Sequence, residues 1–182
     1  HNVLNASAAC LVALKMGMDR EVLRESLCRF GGVRRRLEDR GVHGRVRVFS
    51  DYAHHPTEVR AVLEALRAKY PSSRLVVAYQ GHQMWRTKYF MEDFGRVLAG
   101  FDLVLILQTY SVREKDTQGL PDGEALARKV EQCGGRSAFL GDLEKAPSAI
   151  LPHLMEGDLL ILMGAGSVDD ISGIVEQALS VT

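Results

Sequence analysis

From Arg45 onward the sequence alternates short aliphatic runs with amphipathic helical runs, and few architectures accommodate that pattern. The runs VRVFS (46–50), RLVVAY (74–79), DLVLIL (102–107), RSAFL (136–140) and DLLILM (158–163) predict strands. Between them, Val59, Val62, Leu63, Leu66 and Tyr70 recur at helical spacing, as do Phe90, Phe94, Val97 and Leu98, and then Leu126, Ala127 and Val130. A helical stretch from Leu143 to Leu154 follows, and Ile171, Ile174, Val175 and Leu179 close the series. Strands separated by helices are joined by crossovers, and strands that are apolar at nearly every position must be covered on both faces. The expected class is therefore α/β, with a mostly parallel sheet of about five to six strands and helices on both faces.

The residues before Arg45 have a different character. Val3, Ala6, Ala9, Val12 and Ala13 fall at helical spacing, and after Gly17 and Asp19 a second short pattern holds Val22, Leu23, Leu27 and Phe30. This helical pair stops at Gly31-Gly32, ahead of a charged stretch from Arg34 to Arg40, so we place a domain boundary there, dividing 1–32 from 33–182. With 182 residues, 46% of them hydrophobic, the chain can bury one substantial core and carry a fragment of a second domain. It opens at His1 directly into the helical pattern, as a piece cut from a longer chain would.

Charge and cysteine content exclude several roles. Lys plus Arg and Asp plus Glu both total 23, so no net field draws the whole surface to nucleic acid or an anionic membrane, and any anion site must be local. Cys10, Cys28 and Cys133 are widely spaced, form no C-x-x-C pair, and are expected to be reduced and buried. No apolar run reaches the roughly 18 residues of a membrane span, and we expect a cytoplasmic protein.

In open α/β sheets ligands bind beyond the carboxyl ends of the strands. Here those loops are polar: DYAHH after the first strand, QGHQMWR after the second, QTYSVRE after the third and GAGS after the last. Asp51, Tyr52, His54 and His55 precede Pro56, which suits the first turn of a helix because its missing N–H would be unpaired there. Glu58 reads first as a helix-start acid suited to the dipole, and Asp51 as either a ligand group or a turn cap. Arg34 to Arg36 read alone as a solvated charge run or a generic anion patch.

The segment DYAHHPTE (51–58) resembles the D-Y-[GA]-H-H-P-T-E element that opens the C-terminal domain of Mur ligases of the UDP-N-acetylmuramate:L-alanine type. HNVLNASAA (1–9), FGGVRRRLE (30–38), QGHQMWRTKYFMEDF (80–94) and GDLLILMGAG (157–166) agree with that family in order and spacing, so the resemblance covers essentially the whole chain. It implies a Rossmann-like C-terminal domain, preceded by the helical end of a central ATPase domain. It also implies a function, as the amino-acid-binding part of a ligase that uses ATP and magnesium to add L-alanine to UDP-N-acetylmuramate. On the nucleotide side the resemblance implies His1 and Asn2 near adenine, Arg36 near phosphate or ribose, and Asp51. On the amino-acid side it implies Tyr52, His54, His82 and Arg86. A small zwitterion needs a cation for its carboxylate and an acceptor for the proton that its amine must lose, and Arg86 fits the first role.

Some positions depart from the family's spelling. Gly81 stands for a proline, Gln83 for an arginine, Met84 for an aromatic, Leu37 for a phenylalanine and Ser167 for an aspartate. Gln83 offers hydrogen bonds but no charge, so half of an expected arginine pair is missing. Nothing matches the G-x-x-x-x-G-K-[ST] phosphate loop; that loop, the magnesium ligands and the UDP-sugar domain would lie upstream of His1. The chain alone is expected to be inactive and to work with its own N-terminal and central domains. A murein tripeptide ligase of the same fold is the alternative within the family. From other classes, His54, His55, His82 and Asp51 would suit a zinc hydrolase, and a non-catalytic domain binding an anion or a partner also fits a chain without a phosphate loop.

Overall fold

The computed structural model describes residues 2–111, 114–115 and 117–181, and two compact units divide the chain, His1–Val33 and Arg34–Thr182. The first is a helical pair, α1 (Asn2–Lys15) and α2 (Arg20–Arg29). Asp19 caps α2, its Oδ1 accepting from the backbone N–H of Glu21 at 2.8 Å and of Val22 at 3.3 Å. This unit buries little: α2 has no buried residue, and Val3, Leu4, Leu11 and Val12 are exposed. The cysteines are free as expected, but they are not buried. Cys28 lies exposed on α2, Cys10 is half-buried on α1, and Cys133 is half-buried just after the helix Gly123–Gln132.

The second unit is a six-stranded sheet in the order β1-β2-β6-β3-β4-β5. Its strands are β1 (Glu38–His43), β2 (Val46–Asp51), β3 (Leu75–His82), β4 (Leu103–Tyr110), β5 (Ser137–Gly141) and β6 (Leu159–Met163). All neighbouring pairs are parallel except β1 with β2. The five strands expected from the sequence are all present, and β1 is an addition. Its spelling, EDRGVH, has no apolar alternation because it is an edge strand with a register shift near Gly41 and with Val42 exposed.

Both faces of the sheet are covered. On one, Phe49, Val77, Tyr79, Val104, Ile106 and Ile161 pack against α3 (Pro56–Lys69), α5 (Met91–Leu98) and α6 (Gly123–Gln132). On the other, Val48, Val76, Ala78, Leu105, Leu160 and Leu162 pack against α7 (Ala146–Ile150) and α8 (Ser172–Val181). The helical stretch expected from Leu143 to Leu154 is three short pieces, two 3-10 turns flanking α7, and Pro147 and Pro152 account for the breaks. None of the described helices is long and apolar enough to cross a membrane.

The chain enters β6 last and lays it between β2 and β3. The carboxyl ends of β2, β6, β3 and β4 therefore stand side by side, bringing together loops that are distant in sequence.

Candidate functional site

Asp51 ends β2 and is nearly fully buried. Its Oδ2 accepts from the Leu37 N–H at 2.6 Å and its Oδ1 from the Ala53 N–H at 2.7 Å. Burial pushes this carboxyl up from its ordinary value, while the two backbone donors and Arg36 pull the other way. Asp51 is thus turned inward, where it holds the loop before β1 in a conformation that puts Arg35 at φ 57° and Leu37 at φ 47°. The same loop is tied down by Arg35, whose Nη2 donates to the carbonyls of Gly164 at 2.6 Å and Gly166 at 3.0 Å. Arg36 is left outside this clamp. It is exposed, it has no ion-pair partner among the described residues, and its guanidinium lies 5.6 Å from the centre of the Tyr52 ring.

From Tyr52 a row of rings crosses the sheet end. Tyr52 meets His54 edge-on at 5.4 Å between centroids, His54 meets His82 edge-on at 5.9 Å, and His82 stacks on Tyr110 at 5.7 Å. His54 Nδ1 lies 3.0 Å from the Tyr52 carbonyl and 3.3 Å from Glu58 Oε2, which also accepts from the His54 backbone N–H at 3.0 Å. His55 turns away: its ring packs edge-on against Phe90, and its Nδ1 accepts from the Thr57 N–H as the cap of α3.

His82 leaves β3 at the sheet end and is followed by α4 (Met84–Tyr89). Arg86 Nη1 lies 3.2 Å from His82 Nδ1 and 3.3 Å from the His82 carbonyl, so the half-buried guanidinium is braced before any ligand arrives. Gln83 makes the turn into α4 with φ 69°, its N–H donating to the Tyr110 carbonyl at 2.9 Å. Glu114 finishes the support, accepting from the N–H groups of Met84 at 2.7 Å and Trp85 at 3.1 Å. Beneath the row, the fully buried Tyr79 hydroxyl has no hydrogen-bond partner among the described residues, and burial raises its pKa so that it stays a neutral phenol.

Burial holds the His82 imidazole below the ordinary histidine range, helped by Arg86 and His54 and opposed by Glu114. A histidine with a depressed folded pKa contributes stability that is present above its unfolded value and is lost as pH falls through the folded one. Replacing Arg86 with leucine removes one of these charges, so the His82 titration followed by NMR should move up in that variant. An unchanged titration would mean that the guanidinium does not face the ring.

Of the residues expected from the sequence, Tyr52, His54, His82 and Arg86 form one continuous row, and Arg36 stands at its Tyr52 end. Asp51 lies behind the row as a backbone clamp. Asn2 opens α1 in the other unit, and His1 lies outside the described residues. The supporting roles of Arg35, Tyr110 and Glu114 were not foreseen; the polarity of QTYSVRE was the only signal for the last two. Among the described residues no group of three or more His, Cys, Asp or Glu side chains could hold a metal ion.

The fold is a mostly parallel α/β domain that gathers a braced guanidinium, two imidazoles and an exposed arginine at the carboxyl ends of its strands. The chain belongs to the Mur ligase family: the family domain described as "Mur ligase, glutamate ligase domain" matches residues 35–166. A UDP-N-acetylmuramate–L-alanine ligase of Kineococcus radiotolerans is 44% identical over 94% of this chain, and one of Agathobacter rectalis is 40% identical over 94%. Among solved structures, a UDP-N-acetylmuramate-alanine ligase from Thermotoga maritima superposes on the whole chain with a TM-score of 0.80 at 26% identity, and a murein peptide ligase from Psychrobacter arcticus does so with 0.70 at 22%. The second of these speaks for the fold alone. The chain spans 36% and 37% of the length of the two relatives, and 38% and 37% of the two solved chains.

Proposed function

We propose that this chain is the C-terminal, amino-acid-binding part of an ATP-dependent ligase that adds L-alanine to UDP-N-acetylmuramate in peptidoglycan precursor synthesis, acting in the cytoplasm. The observation that carries the reading is the continuous row Tyr52–His54–His82–Arg86, which matches a small zwitterion group for group. The identity of 44% with an L-alanine ligase supports the choice of amino acid.

In this reading Arg86 holds the amino acid's carboxylate, and Tyr52, His54 and His82 line its amine side. Arg36 serves the nucleotide, as the family resemblance also implies for His1 and Asn2, and Asp51 acts by fixing the loop that carries Arg36. ATP supplies the phosphoryl group that activates the muramate carboxylate as an acyl phosphate, from which the amine displaces phosphate. The phosphate loop, the magnesium ligands and the UDP-sugar site belong to the N-terminal and central domains, so the chain alone is inactive.

ADP release by the full-length protein, measured with UDP-N-acetylmuramate and L-alanine and separately with a murein tripeptide in place of L-alanine, tests the reading. We expect turnover with L-alanine and little with the tripeptide. The reverse preference would make this a murein peptide ligase.

A further inference from the structure

The two imidazoles at the centre of the site have neighbours of opposite kind. His54 Nδ1 is met by two groups that can only accept, the Tyr52 carbonyl at 3.0 Å and Glu58 Oε2 at 3.3 Å, so a neutral His54 carries its proton on Nδ1 and a lone pair on Nε2. His82 Nδ1 is met by the Arg86 guanidinium at 3.2 Å, which can only donate, so a neutral His82 carries its lone pair on Nδ1 and its proton on Nε2. The rings are neighbours, with centroids 5.9 Å apart.

We propose that His54 and His82 are held in opposite tautomers. His54 offers an unprotonated Nε2 to the ammonium of an α-amino acid, and His82 offers an Nε2–H to its carboxylate beside Arg86. Glu58 is the positioning residue that fixes the first. This deepens the ligase reading and rests on it for the chemistry. The ammonium gives one proton to His54 Nε2 and becomes a neutral amine. The amine's lone pair forms the C–N bond as the acyl C–O bond to phosphate breaks. The second proton leaves the nitrogen with the departing phosphate, and His54 returns the first to solvent. One ammonium and one acyl phosphate thus become an amide, a hydrogen phosphate and a released proton.

Glu58 sits in the first turn of α3, where a carboxylate is ordinarily a cap. Here it reaches back to both the backbone N–H and the ring of His54. Glutamine at this position still accepts from the backbone N–H and keeps the cap. Its amide can also donate to Nδ1, which admits the other tautomer of His54.

Long-range 15N NMR of the chain above the imidazole titration range reads the tautomers directly. We expect His54 protonated at Nδ1 and His82 at Nε2, with Glu58→Gln showing a mixture at His54 and an unchanged His82. In the full-length protein, Glu58→Gln should lower kcat on the order of tenfold, part of the ~10²–10⁴ that a positioned base contributes, with the KM for ATP unchanged. His54 protonated at Nε2, or His82 at Nδ1, overturns the inference. An unchanged tautomer and kcat in Glu58→Gln reduces Glu58 to a cap and overturns its positioning role. The stated tautomers together with no amino-acid-dependent turnover would overturn the ligase reading and the proton transfer, leaving the tautomer assignment in place.

Discussion

Replacing Arg86 with alanine should raise the KM for L-alanine of the full-length protein on the order of 10²-fold, the loss associated with truncating one side of a buried charge-assisted pair. The guanidinium is half-buried and held against His82 by two contacts at 3.2 and 3.3 Å, so it meets a carboxylate without further ordering. No second arginine stands in the loop to share the work, since Gln83 occupies that position and spends its backbone N–H on Tyr110. The KM for ATP should stay where it is, because Arg36, the residue we propose for the nucleotide, lies at the far end of the row. Arg86→Lys should recover part of the loss, keeping the charge without the two-pronged geometry. Steady-state phosphate release against L-alanine concentration checks this, and an unchanged KM in a variant that melts normally would remove Arg86 from the site.

Gly164→Ala should lower stability by about 3 kcal/mol, which for a domain of this size is a fall in melting temperature of roughly 6–12 °C. Gly164 follows β6 with φ 150°, and a Cβ built there would stand 2.5 Å from the Gln80 carbonyl oxygen. That oxygen is backbone on the adjacent strand β3 and cannot swing aside. The residue is also a junction: its N–H donates to the Asp51 carbonyl at 3.0 Å, and its own carbonyl accepts from Arg35. Thermal denaturation of wild type and variant, with the Arg35 side chain followed by NMR, should show both the lost stability and a loosened Arg35. A variant that melts like wild type would mean that β6 and β3 separate more easily at this end than their pairing implies.

Much of the fold was legible because buried parallel strands are written as unbroken aliphatic runs. VVAY and LVLIL have no polar face, so their burial on both sides follows directly. The edge strand β1 carries no such mark, since none of its residues is buried and its side chains meet α8 through ion pairs such as Arg40 with Glu176. The stretch 143–154 kept helical spacing but broke where Pro147 and Pro152 withdraw backbone donors. For the site, the residues in the strand-end loops were readable because their residue types and place in the fold agree. The inward turn of Asp51, the grip of Arg35 on two carbonyls and the capping of α4 by Glu114 were not readable. Each depends on a partner brought close only by folding, 129 positions away for Arg35 and Gly164.

The loop from His82 into α4 leans on β4 and the connection that follows it. Its turn hangs on the carbonyl of Tyr110 at the end of β4 and its helix on the Glu114 carboxylate in the connection that follows, whereas the Arg36 loop is moored to β2 and β6 through Asp51 and Arg35. The loop that carries Arg86 can therefore be exchanged without the loop that carries Arg36, while Tyr52 and His54 stay behind on the β2 side. An exchange on the amino-acid side must carry two segments at once. A transplant of residues 82–89 from a relative would arrive with its helix uncapped unless the acid at position 114 came with it, and swapping both should redirect amino-acid choice while leaving nucleotide affinity alone.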